Sequence, residues 1–200
     1  MQAHRGSWLT VPNLISELRF VIAPVLLYFA WTDQPTAFLM FLGLSFCSDG
    51  LDGYVARKLG QTSELGAMLD TAGDFVTYVT VPLCGWWLWP DRIRPEAPFL
   101  AAMAISYISP IAVGFVKYGR LTNHHTWGGK LSALLLGSAA LILVAGGSPW
   151  PFRIAVAMVV LADIEEIAII AILPRWRSSV PSLWHAMKDI NRPLERTGLN

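Results

Sequence analysis

The stretch "SDGLDGYVARKLGQTSELGAMLDTAGDF", residues 48–75, sets four aspartates, Asp49, Asp52, Asp70 and Asp74, into an otherwise apolar chain. At about 100° per residue, Asp49, Asp52, Gly53 and Ala56 share one helical face, and Gly66, Asp70 and Asp74 form a stripe one turn apart. An antiparallel pair joined by "KLGQTSEL" (58–65) would turn the two stripes toward each other. Four carboxylates facing one another in an apolar setting repel and lose hydration, so they require protons or a cation. The bland alternative is a solvated loop without a role.

The surroundings decide how such a stretch is housed. The chain of 200 residues is 54% hydrophobic and only 14% charged, where a soluble domain carries about 25% charged residues. Six apolar runs follow one another, at 11–31, 35–56, 66–90, 97–118, 128–147 and 151–173. Each approaches or exceeds the ~20 residues that a helix needs to cross a hydrocarbon core. They do not alternate, so helices rather than barrel strands are expected. The fold expected is an all-α integral membrane protein of six transmembrane helices, with the acidic stretch at the turn between the second and third. A soluble all-α core would need polar helix faces that these runs lack. The first run holds Glu17 and Arg19 and no small-residue cleavage site after Trp31, so it is expected to stay as a permanent helix. Cys47 and Cys84 have no metal or disulfide spacing and are expected to be small core residues.

Basic residues set the expected orientation. With six spans, Arg5, Arg19, Arg57, Lys58, Lys117, Arg120, Lys130, Arg175, Arg177, Lys188, Arg192 and Arg196 fall on or near one face, and Arg92, Arg94 and Arg153 on the other. Lysine and arginine favour the cytoplasmic side, so both termini and the aspartates are expected there. Residues 1–174 form the membrane domain in this reading. Residues 175–200 form a polar cytoplasmic tail, in which "PSLWHAMKDI" (181–190) suits a short interfacial helix.

Hard divalent cations take oxygen ligands, and Mg²⁺ is commonly held by a few carboxylates together with substrate phosphates. Two aspartate pairs could therefore clamp one or two Mg²⁺ ions that also grip a diphosphate. Glycines at 50, 53 and 66 permit close approach of a ligand or a neighbouring helix, and Arg57 offers a forked donor suited to phosphate. The spacing of an EF-hand loop is absent.

Asp49-x-x-Asp52-Gly53-x-x-Ala56-Arg57, then Gly66-x-x-x-Asp70-x-x-x-Asp74, resembles the complete signature of the CDP-alcohol phosphotransferases, six-helix membrane enzymes of phospholipid synthesis. "VPNLISELRFVIAP" (11–24) resembles the family's first helix more loosely. The resemblance implies that Asp49, Asp52, Asp70 and Asp74 hold two Mg²⁺ or Mn²⁺ ions against the diphosphate of a CDP-linked lipid. It implies that Asp74 also takes the proton from the acceptor hydroxyl, which attacks the β-phosphorus and releases CMP. Asp49, Asp52, Gly53, Ala56, Arg57, Thr62 and Gly66 would form the CDP site. A cytoplasmic-side polar cavity, a homodimer in the inner or plasma membrane and no nucleic-acid partner complete the expectation.

The acceptor divides such enzymes. "VKYGRLTNHHTWGGKLSALLLG" (116–137) supplies Lys117, Arg120 and Lys130 as candidate ligands for a phosphorylated alcohol, against the plainer reading of topology or lipid-anchoring charges. His124 and His125 are more simply loop residues. Phe75 follows the fourth aspartate where many members using glycerol 3-phosphate carry a basic residue, and "DFVTYVTVP" (74–82) is more similar to users of serine or choline. The basic cluster tips the expectation to glycerol 3-phosphate, with serine, choline, inositol and inositol phosphate as alternatives. Trp86, Trp87, Trp89, Trp150, Trp176 and Trp184 suit an interfacial belt. Asp163, Glu165 and Glu166 lie inside the last apolar run, facing either the polar cavity or an oligomer contact. A membrane prenyltransferase would lack the Gly-x-x-Ala-Arg pattern. A divalent-cation transporter would place its acids mid-span and show an inverted repeat.

Overall fold

The computed structural model describes residues 11–46, 64–119, 126–174 and 180–190, with side chains over 18–46, 72–119, 126–174 and 180–188. Among the described residues every regular element is helical. They are α1 (Val11–Trp31), α2 (Pro35–Phe46), α3 (Glu64–Leu88), α4 (Pro90–Ile93), α5 (Ala97–Tyr118), α6 (Trp127–Val144), α7 (Trp150–Ile172) and α8 (Leu183–Ile190). A 3-10 turn at Arg94–Glu96 joins α4 to α5. The long helices coincide with the apolar runs to within a few residues. The second run is helical from Pro35 to Phe46, and its remainder lies outside the described residues.

The chain divides into two compact units, Met1–Arg94 and Pro95–Asn200. In the first, α1 and α3 lie side by side and parallel. Arg19 meets Asp74 early in both helices, and the rings of Trp31 and Trp87 meet 6.4 Å apart at their ends. The turn after α1 is tight: the Gln34 N–H donates to the Phe29 carbonyl at 2.9 Å, and Asp33 sits at φ 53°, a left-handed position that Asp tolerates better than most residues. From there α2 runs back along the pair, with Phe38 against Trp89 at 5.8 Å and Phe41 against Phe29 at 5.1 Å. Ile22, Leu26, Phe38, Leu42 and Cys84 form the core, so Cys84 is the small interior residue expected.

The second unit follows the same alternation. Glu96 and Arg153 join the starts of α5 and α7, while Lys117 and Tyr118 reach the carbonyls of Ile170, Ala171 and Leu173 at their ends, so the two helices are parallel. Between them in sequence, α6 runs antiparallel to α7: Gly128 at its start lies against Ala162 and Glu165 in the second half of α7. Each unit thus runs up, down, up.

Polarity is arranged inside out. Arg19, Ser45, Thr80, Glu96, Thr126 and Ser132 are buried, whereas Val116 is 86% exposed and Met40, Ile105 and Leu134 about as openly displayed. Apolar surface on this scale marks contact with lipid or another protein. Two helical runs, Pro90–Tyr118 and Trp127–Val144, are long and apolar enough to cross a membrane. The 23-residue α7 carries Asp163, Glu165 and Glu166 along its second half. Against lipid tails the transfer term of hydrophobic burial vanishes, leaving close packing and polar contacts to hold helices together.

One such contact starts α6. Thr126 is 2% exposed, and its Oγ1 accepts from the Gly129 N–H at 3.0 Å, capping a donor that would otherwise be orphaned. Thr126→Ala should lower the stability of the second unit by about 1 kcal/mol, measurable as a lower unfolding midpoint in detergent.

Candidate active site

α3 begins at Glu64, so Gly66, Asp70 and Asp74 fall in helical register one turn apart, as the spacing predicts. Asp49, Asp52, Gly53, Ala56, Arg57 and Thr62 lie outside the described residues, and of Gly66 and Asp70 only the backbone is described. Asp74 is therefore the acid of this cluster whose surroundings can be read.

Its partner is Arg19 of α1. The Arg19 guanidinium donates from Nη1 to Asp74 Oδ1, with Arg19 2% exposed and Asp74 36%. The arginine reaches the acid across Gly73. A Cβ there would stand 3.2 Å from Nε and 3.3 Å from Cζ of Arg19, so the missing side chain makes room for the guanidinium. Thr77 Oγ1 donates to the Gly73 carbonyl at 3.0 Å, one turn on. A charge as buried as that of Arg19 is costly unless paired, and α3 supplies the pair.

Among the described residues no group of three or more His, Cys, Asp or Glu side chains comes together as a metal site. The residue types that α3 places in one register, Asp70 and Asp74, do fit a hard cation, since carboxylate oxygens are its preferred donors.

The remaining candidates have visible structural work. Lys117 Nζ donates to the carbonyls of Ile170 and Ala171 at 2.7 and 2.8 Å, and the Tyr118 hydroxyl lies 2.9 and 2.7 Å from the carbonyls of Ile170 and Leu173. Together they cap the C-terminal end of α7, where unpaired carbonyls and the helix dipole favour a cation. Lys130 is exposed, with Nζ 5.8 Å from the Trp127 ring centre. Arg120 lies outside the described residues.

On α7, Glu165 Oε1 accepts from the Leu183 N–H at 2.9 Å, tying α8 to the bundle, and its Oε2 would be 3.4 Å from a Cβ on Gly128. Ile169, Leu173, Val180 and Ala186 pack beneath α8. Asp163 lies beside Ser106 on α5, whose hydroxyl donates to the Met103 carbonyl at 3.0 Å. Glu165 thus docks a later helix of its own unit. Its partner is a backbone N–H, which no residue pattern announces. Arg19 had one signal in the sequence, a cation inside an apolar run, which calls for a buried anion somewhere in the chain.

A helical, outwardly apolar protein with an aspartate stripe on α3 defines the class. The family described as CDP-alcohol phosphatidyltransferase matches residues 9–173, and the chain belongs to it. A Mycobacterium tuberculosis protein provisionally named cardiolipin synthase is 39% identical over 131 residues, 54% of this chain and 61% of its own. The Streptomyces coelicolor cardiolipin synthase (CMP-forming) is 31% identical over 150 residues, 71% of this chain and 68% of its own. The CDP-diacylglycerol–glycerol-3-phosphate 3-phosphatidyltransferase of Aquifex aeolicus is 33% identical over 92 residues, 46% of this chain and 52% of its own. The chain thus spans about three-fifths of the length of the mycobacterial relative it matches. No solved structure matches it.

Proposed function

We propose that this protein transfers the phosphatidyl group of CDP-diacylglycerol to an alcohol and releases CMP. The complete eight-position motif, its second half in helical register on α3, carries the reading. In the reaction the acceptor oxygen attacks the β-phosphorus, the bond from that phosphorus to the CMP oxygen breaks, and the acceptor proton passes to Asp74. Asp49, Asp52, Asp70 and Asp74 would hold two Mg²⁺ or Mn²⁺ ions, which supply charge neutralisation at the diphosphate. Arg57 and Thr62 bind the nucleotide, and Gly53, Ala56 and Gly66 keep its pocket open. Arg120 and Lys130 attract an anionic acceptor; Lys117 joins them only through what its helix cap leaves available.

The acceptor we favour is a phosphoglycerol: a primary glycerol hydroxyl beside a phosphate, as in glycerol 3-phosphate or in phosphatidylglycerol. The basic residues support it, as do relatives named for glycerol 3-phosphate transfer and for CMP-forming cardiolipin synthesis. Cardiolipin made with release of CMP requires an acceptor that already carries one phosphatidyl group on its glycerol. The setting is a bilayer crossed by six helices, with both termini and the site cytoplasmic, and the enzyme a homodimer. Apolar outer surface and alternating helix directions support the bilayer, and the distribution of basic residues supports the orientation.

The test is CMP release by purified protein with Mg²⁺ and CDP-diacylglycerol, offered in turn glycerol 3-phosphate, phosphatidylglycerol, inositol, inositol phosphate, serine and choline. CMP formed with either phosphoglycerol supports the reading and separates its two forms. CMP formed only with another alcohol overturns the acceptor, and none with any alcohol overturns the reaction.

A further inference from the structure

We infer that Arg19 of α1 is a positioning residue for the reaction, holding the Asp74 carboxylate in the orientation from which it takes the acceptor proton. The inference rests on the function proposed above. Three observations converge on it. Arg19 is almost wholly buried, and its guanidinium donates from Nη1 to Asp74 Oδ1. Position 73 is a glycine whose missing Cβ leaves the space that Arg19 Nε and Cζ occupy, so the pair depends on close approach of α1 to α3. And α1 is seated: Ile22 and Leu26, one and two turns on, lie in the same core as Cys84 of α3, so Arg19 projects from a braced backbone.

A carboxylate turns through a broad torsional well about its last bond. Proton transfer asks it to present an oxygen within about 2.6–3.2 Å of the acceptor hydroxyl. A planar guanidinium on Oδ1 restricts that turn, which a point charge on a flexible stem does less well. If stability alone were at stake, a buried arginine could pair with any acid of the bundle; here it engages an acid that the proposed reaction uses.

The test compares Arg19→Gln, Arg19→Lys and Gly73→Ala with wild type, by steady-state CMP release in detergent and a thermal midpoint for each protein. Arg19→Gln should lower kcat about 100-fold, the scale of a misplaced reacting group, with KM for CDP-diacylglycerol within about threefold. Arg19→Lys should recover part of the loss, about tenfold. Gly73→Ala keeps both charges but pushes the guanidinium aside, and should lower kcat several-fold at a wild-type KM. A folded Arg19→Gln protein with kcat within threefold of wild type would overturn the inference. So would a KM that rises as far as kcat falls, which would make Arg19 a ligand contact. If Arg19→Gln does not fold, Gly73→Ala decides: an unchanged kcat overturns the proposal. Wild-type protein silent with every alcohol removes the function and the positioning role together, whereas an active wild type beside an active Arg19→Gln removes the positioning alone.

Discussion

Asp74→Asn should reduce CMP release by about 1,000-fold, within the 10²–10⁴ range of a lost general base. Asparagine keeps the size and one carbonyl oxygen, so Arg19 retains an acceptor, but the buried guanidinium loses the charge it is paired with, which lowers stability as well. It removes the charge and the capacity to take a proton. The measurement is the initial rate per monodisperse protein, alongside the thermal midpoint. A fall in rate in protein that is still folded at the assay temperature assigns the loss to chemistry rather than to the lost ion pair. A rate within tenfold of wild type would transfer the proton to another group and leave Asp74 as the counter-ion of Arg19.

The second large effect lies at the other unit. Glu96 is 2% exposed and accepts from Arg153 Nε at 2.9 Å and Nη2 at 2.8 Å, a two-pronged pair across the starts of α5 and α7. Arg153→Met would strand the buried carboxylate, at a cost of about 3–5 kcal/mol. Glu96→Gln strands far less. Arg153 is 30% exposed and lies 5.2 and 5.4 Å from the Phe99 and Trp150 ring centres, so its charge keeps water and aromatic partners. That change should cost about 1–3 kcal/mol. The double variant Glu96→Leu/Arg153→Met should stand closer to wild type than Arg153→Met alone, because no charge is left behind. Unfolding midpoints of the three in one detergent give the order. Glu96→Gln as damaging as Arg153→Met would contradict it.

The helices were legible because they are long apolar runs bounded by Pro, Gly and charge. α5 fills the run 97–118 end to end, and α7 is displaced from its run by a single residue. The helical spacing of Asp70 and Asp74 was legible for the same reason: period and length are local properties. The pairings were not. Arg19 and Asp74 are 55 residues apart, and Glu165 engages a backbone N–H that becomes available only when α8 folds onto α7. Lys117 shows the limit from the other side. Its charge at a span end looked equally suited to an acceptor or to topology, and only the approach of α7's last carbonyls reveals a cap. The acid cluster itself, Asp49 and Asp52 with Arg57, lies outside the described residues, so its chemistry still stands on the motif.

The parallel pairing of α5 and α7 also has a consequence in time. A ribosome adding roughly 5–20 residues per second completes Glu96 several seconds before Arg153, which follows 57 residues later. Through that interval α5 is made but lacks its counter-charge, and α6 must turn back before the partner helix exists. Until α7 is complete, Glu96 therefore has to keep its charge solvated rather than buried. Arg153 and then Ile170 arrive in that order, fastening first one end of the helix pair and then the other.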